Sequence, residues 1–107
     1  VVAYSALIEN DEPVYDQIDG AWLTQGDFLV VHRVAVSDRV AGKGVATRLF
    51  KAIEEYAVAQ QMPSIKVDTN FDNPAMLRIL DKLGYHYCGE VILMGAPRKA
   101  FEKVLGA

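Results

Sequence analysis

Apolar residues recur along the chain with a spacing that changes several times, and each change marks an element. The opening Val1-Val2-Ala3-Tyr4-Ser5-Ala6-Leu7-Ile8 is short and nearly continuous in hydrophobicity, and reads as a strand. Glu9-Asn10-Asp11-Glu12-Pro13 interrupts it with acidic, turn-forming residues. From there to about Asp27 no strong period is visible, which predicts a long loop. Loops of that length are uncommon in compact domains and often serve binding. Tyr15, Ile18, Trp22 and Leu23 would instead pin it to the core. Phe28 to Val36 is the strongest strand, rich in β-branched residues and apolar on both faces, as expected of a central position.

Ser37 to Gly44 breaks that strand, and the period then becomes helical. Val45, Leu49, Ile53, Tyr56 and Ala57 share one face, and the helix runs to about Gln60 before Pro63 prevents continuation. Ile65-Lys66-Val67-Asp68 reads as a short strand. Asn73-Pro74 is a helix start, because Asn can accept from a free backbone N–H and Pro at the first helical position loses no hydrogen bond. Met76, Leu77, Leu80 and Leu83 form its apolar stripe, and Gly84 supplies the left-handed stop. Tyr85 to Met94 reads as another strand and Gly95-Ala96-Pro97 as a turn. Arg98 to Ala107 suits a helix or a strand equally. Alternating strands and helices predict an α/β or α+β sandwich.

A length of 107 residues gives one small domain. A hydrophobic fraction of 51% argues against disorder, and the apolar runs fall short of the ~20 residues of a membrane span, so no membrane partner is expected. A net charge of −3 argues against a nucleic-acid binder, whose affinity comes largely from neutralising phosphates. The single cysteine, Cys88, excludes an internal disulfide and a multi-thiolate metal site. It fits a reducing cytoplasm and reads as a small, partly buried hydrophobe. No His, Asp or Glu cluster has metal-ligand spacing, so no metal is expected. The chain begins with Val and shows no signal-peptide pattern, so a trimmed or missing start is expected.

The segment Arg39-Val40-Ala41-Gly42-Lys43-Gly44-Val45-Ala46-Thr47 lies between the central strand and the first helix. Its glycines let backbone N–H groups approach a ligand, and the following helix N-terminus favours a phosphate. Arg39 and Lys43 add positive charge. It is neither a Walker loop nor G-x-G-x-x-G, since position 47 is Thr. By composition alone it is a phosphate cradle or simply a glycine-rich turn.

Following the Val34-Ala35-Val36 strand, Arg-x-x-Gly-x-Gly-Val-Ala-Thr resembles the coenzyme A pyrophosphate signature of the GNAT superfamily of N-acyltransferases. Asn73 and then Leu80-Asp81-Lys82-Leu83-Gly84-Tyr85 are similar to that family's second motif. The likeness runs over residues 28–94, and the flanking segments are compatible with the family's neighbouring strands. It implies a central mixed, mostly antiparallel sheet flanked by helices. The family has further elements ahead of the segment that begins at Val1, so 1–107 is expected to be the C-terminal two-thirds of one domain.

The resemblance also implies acetyl transfer from acetyl-coenzyme A to the amine of a small molecule or peptide, by direct attack in a ternary complex. Coenzyme A would be held by the backbone at Val34, Ala35 and Val36, by Arg39 through Thr47, and by Asn73. A backbone N–H near Val34–Val36 would stabilise charge on the thioester oxygen. His32 matches a strand histidine that helps deprotonate the amine in some relatives; its ordinary reading is a hydrogen bond within the sheet. The family's usual tyrosine acid falls at Leu80, which leaves Tyr85 or Tyr87, with Tyr87 preferred. Asp68 is a solvated turn residue, an alternative base or a group that binds the acceptor amine, and His86 is a surface residue. The competing functions are a GNAT-like module that binds coenzyme A or a partner without turnover, and a generic nucleotide-phosphate binder. Missing N-terminal elements would leave an exposed edge, open to their own segment or to a second copy.

Overall fold

A computed structural model of the chain describes residues 3–9, 12–36, 44–71 and 73–105, with the backbone alone described at 3–6 and 32–36. Six strands form one sheet: β1 (Ala3–Glu9), β2 (Asp19–Gly20), β3 (Leu29–Val36), β4 (Ser64–Thr69), β5 (His86–Leu93) and β6 (Ala96–Val104). Two helices, α1 (Val45–Ala59) and α2 (Pro74–Lys82), connect β3 to β4 and β4 to β5. The order across the sheet is β1-β3-β4-β6-β5-β2. β3 and β4 run parallel, as a helical crossover allows, and the other neighbours are antiparallel. The architecture is therefore the mixed, mostly antiparallel α/β sheet expected from the sequence.

Alternation along the strands divides the core in two. Leu29, Val31, Ile65, Val67 and Phe101 face the helices, where they pack with Phe50, Ile53 and Ala57 of α1, Leu80 of α2, and Tyr85. Fully burying an aliphatic or aromatic side chain of this kind contributes roughly 1.5–3 kcal/mol. Val30, Val91 and Ala100 face the opposite side, which is covered by Tyr15, Ile18, Trp22 and Phe28. The segment expected to be a plain loop is thus a lid with its own structure. Glu12 caps a 3-10 helix over Pro13–Gln17, and β2 pairs with β5. Tyr15 and Trp22 pin this lid, whereas Leu23 is exposed, contrary to its expected role as an anchor.

Helix ends follow their sequence signals. Asn73 Oδ1 accepts from Met76 N at 3.2 Å with Pro74 in the first turn. Gly84 takes φ +85°. The second turn differs from expectation: Met94 and Gly95 make it, and Ala96 and Pro97 already belong to β6. The ambiguous tail is a strand, because β6 is sandwiched between β4 and β5 and so satisfies both of its backbone edges.

Candidate coenzyme site

The parallel ladder between β3 and β4 pairs Leu29 with Ile65, Val30 with Lys66 and Val31 with Val67, and stops there. β3 continues to Val36 paired, among the described residues, with β1, so its last five residues carry no pairing to β4 and the sheet parts there. The β1–β3 register steps from Tyr4–Ala35 to Ala6–His32, which places an extra residue in β3 beside this parting. Such a bulge re-aims backbone groups and ends regular pairing. The backbone at Val34, Ala35 and Val36 lies on this diverging stretch, and His32 is its first residue, opposite Ala6.

Beyond β3, Arg39, Val40, Ala41, Gly42 and Lys43 lie outside the described residues. The described part resumes at Gly44, which adopts φ +75° and precedes α1. Among the described residues no side chain caps α1, and the first-turn N–H groups of Val45, Ala46 and Thr47 lie at the positive dipole end that suits an anion. Asn73 is engaged as the α2 cap.

Asp68, one residue past the end of the parallel ladder, departs from the solvated-turn expectation: it is buried. Tyr15 donates its hydroxyl to Oδ2 at 2.6 Å, and Arg98 pairs with Oδ1. Arg98 also donates to Asn70 Oδ1 at 2.6 Å and to the Asp68 carbonyl at 3.3 Å. With both carboxylate oxygens engaged, Asp68 is a clamp between the lid, β4 and β6. Burial, then the nearby Asp68 charge, pushes the Tyr15 phenol far above its usual range, so it stays a donor.

The tyrosine candidates separate clearly. Tyr85 is buried against Phe50, with ring centroids 5.8 Å apart, and its hydroxyl has no partner among the described residues. Burial, and secondarily Glu54, raises its pKa. Tyr87 is half exposed, packs edge-on against Phe101 and has Lys99 Nζ 5.9 Å from its ring centre. His86 is exposed. Cys88 is buried and its thiol pKa is raised, chiefly by desolvation. Leu80 is fully buried in the helix-side core. Among the described residues no metal-holding group of His, Cys, Asp and Glu forms. No described helix is long and apolar enough to cross a membrane.

Sequence reasoning missed Ser64, Lys66, Glu102 and Arg98. The signal for Ser64 and Lys66 was the alternation Ser64-x-Lys66-x-Asp68, which puts three polar side chains on the lid-facing side of a buried strand; Arg98 and Glu102 lie on β6.

The two parallel strands of the sheet thus part beyond Val31, and β3 is followed, after the residues outside the described ones, by Gly44 and α1. The sequence model for the acetyltransferase (GNAT) family matches residues 1–85, and the chain belongs to that family. A GNAT-family acetyltransferase structure from Streptococcus agalactiae is 36% identical, with TM-score 0.87; the alignment covers 99% of this chain and 60% of that one. A GNAT-family acetyltransferase from Listeria monocytogenes (16% identity, TM-score 0.73) is covered over 58% of its length and 98% of this chain. Arabidopsis thaliana NAA60 in complex with acetyl-CoA (10%, TM-score 0.75) shares the fold, covering 98% of this chain and 66% of its own. No curated protein matches the sequence. The chain thus spans about 60% of the length of the Streptococcus structure.

Proposed function

We propose that the chain forms the coenzyme-binding part of an N-acetyltransferase that moves an acetyl group from acetyl-coenzyme A directly to an amine. The observation that carries this reading is the parting of β3 from β4 after Val31 and Val67, with a bulge on the β3 side. Backbone groups released there have no strand partner of their own among the described residues, and an extended pantetheine arm can supply one. The pyrophosphate would lie at Gly44 and the α1 N-terminus, with Arg39, Gly42 and Lys43 ahead of it. His32, at the start of the divergent stretch, is the base in this reading; Tyr87, the acid expected from the sequence, stands on β5 with β4 and β6 between it and β3, so the thiolate takes its proton from another donor. The amine nitrogen forms the new bond to the acetyl carbon as the C–S bond breaks. The amine proton passes to the base and the thiolate leaves as a thiol. The acceptor is a small-molecule or peptide amine, completed by an N-terminal segment or a second copy, in a reducing compartment such as the cytoplasm.

A second reading is a coenzyme-holding module without turnover. It is favoured by Leu80, a core residue at the position where the family resemblance leads one to expect a tyrosine acid. Thiol release from acetyl-coenzyme A over a panel of amines distinguishes the two. Turnover that falls in His32→Ala, with its pH dependence altered, supports the enzyme. Tight binding with release at background supports the module.

A further inference from the structure

The face of the sheet away from the helices carries a pocket of about 320 Å³ under the lid. Its walls include Tyr15, Ile18, Trp22 and Phe28, and its polar floor is Lys66. That volume is at the small end of the range for ligand pockets, roughly 300–1,000 Å³. Lys66 is only 4% exposed, and its ammonium makes ring contacts but no hydrogen bond or ion pair among the described residues. Nζ lies 4.0 Å from the ring centre of Phe28 and 4.6 Å from that of Trp22. A buried charge is retained only with compensation, and two aromatic faces supply a small part of it.

The nearest acidic neighbour does not take up those donors. Glu102 is opposite Lys66 in the β4–β6 register, but it accepts from Leu23 N, Thr24 N, Thr24 Oγ1 and Ser64 Oγ. Asp16 lies at the exposed rim. Glu102 and Asp16 act on the ammonium through their charge, but neither forms a hydrogen bond or ion pair with it among the described residues, so its donors face the pocket. We infer that this pocket binds a small monocarboxylate with a flat apolar body, its carboxylate on Lys66 Nζ and its body against the lining of Tyr15, Ile18 and Trp22. A single ammonium can pair with one negative charge, and Glu102 opposite it disfavours a second. The site uses none of the residues assigned to coenzyme A, and so stands or falls independently of that assignment.

Benzoate is the probe, with neutral benzamide as its isosteric control, both titrated without acetyl-coenzyme A and followed by NMR. The expected result is saturable shifts of the Lys66 side chain and the Trp22 indole with benzoate. Benzamide should bind about tenfold more weakly or worse, the loss of a charge-assisted hydrogen bond. Lys66→Met should lose benzoate binding by a similar factor. If that variant fails to fold, Trp22→Leu and the wild-type comparison of the two probes decide. Equal affinity for benzoate and benzamide, shifts that leave Lys66 unmoved, or no saturation at millimolar benzoate would each overturn the proposal.

Discussion

Removing the Glu102 carboxylate should be among the most damaging single changes available outside the apolar core. The side chain is fully buried in β6. It accepts from Leu23 N at 2.7 Å, Thr24 N at 3.3 Å, Thr24 Oγ1 at 2.5 Å and the buried Ser64 hydroxyl. Hydrogen bonds to a charged group are worth roughly 1.5–3 kcal/mol each, but those that share one acceptor do not add. The lid donors can rehydrate, since Leu23 is exposed, whereas Ser64 is 0% exposed and cannot. Glu102→Ala should therefore cost about 3–5 kcal/mol, the range for removing one partner from a buried charged network. Glu102→Gln, which keeps one acceptor and nearly the same shape, should cost about 1–2 kcal/mol. Urea unfolding followed by tryptophan fluorescence measures both, with comparison valid if the slope against denaturant is unchanged. A Thr24→Val cycle should show coupling of about 1 kcal/mol or more between the two positions. A Glu102→Ala cost below about 1 kcal/mol would mean that the carboxylate does not hold the lid to the sheet.

The two buried phenols make stability fall at alkaline pH. Tyr15 and Tyr85 have raised pKa values in the fold, so their contribution is complete below the unfolded value of about 10 and declines as pH rises above it. Spectrophotometric titration should find both protonated until the protein unfolds, and early ionisation of either would contradict their burial. Gly20→Ala should destabilise by about 2 kcal/mol or more, because its Cβ would sit 2.1 Å from the Cys88 carbonyl at φ +142°. Thermal melting that shifts by less than a few degrees would argue against the close β2–β5 approach. Asn73→Ala should cost about 1 kcal/mol as a lost helix cap. An additional loss of acetyl-coenzyme A affinity, measured by calorimetry, is expected if the same amide also holds pantetheine, and unchanged affinity would limit it to the cap.

Elements whose signals are local were legible in the sequence. The Phe28–Val36 run appears as β3, and the Asn73-Pro74 start and Gly84 stop bracket α2. What stayed hidden depends on tertiary contact. The segment from Glu12 to Phe28 has no period because Tyr15 and Trp22 reach the sheet singly from a 3-10 helix and irregular chain. The tail was ambiguous for a related reason. Glu102 occupies a core position of β6 and, being charged, erased the alternation that would have identified a strand. Asp68 read as solvated for the same cause: a lone carboxylate in sequence gives no sign that Tyr15 and Arg98 will enclose it. The glycine motif assigned to the coenzyme is local in sequence, and its residues Arg39 to Lys43 lie outside the described residues. The opening of the sheet could not be read, since it exists only as a pairing that stops.

Isothermal titration of acetyl-coenzyme A into the wild-type chain and into Gly42→Glu tests the central claim most directly. Acidic bulk in the glycine turn would occupy the place assigned to the pyrophosphate and repel it. Saturable binding by the wild type, lost in a Gly42→Glu protein with an unchanged melting profile, is the predicted result. Absence of binding to the folded wild type, or equal binding by the variant, would contradict the account.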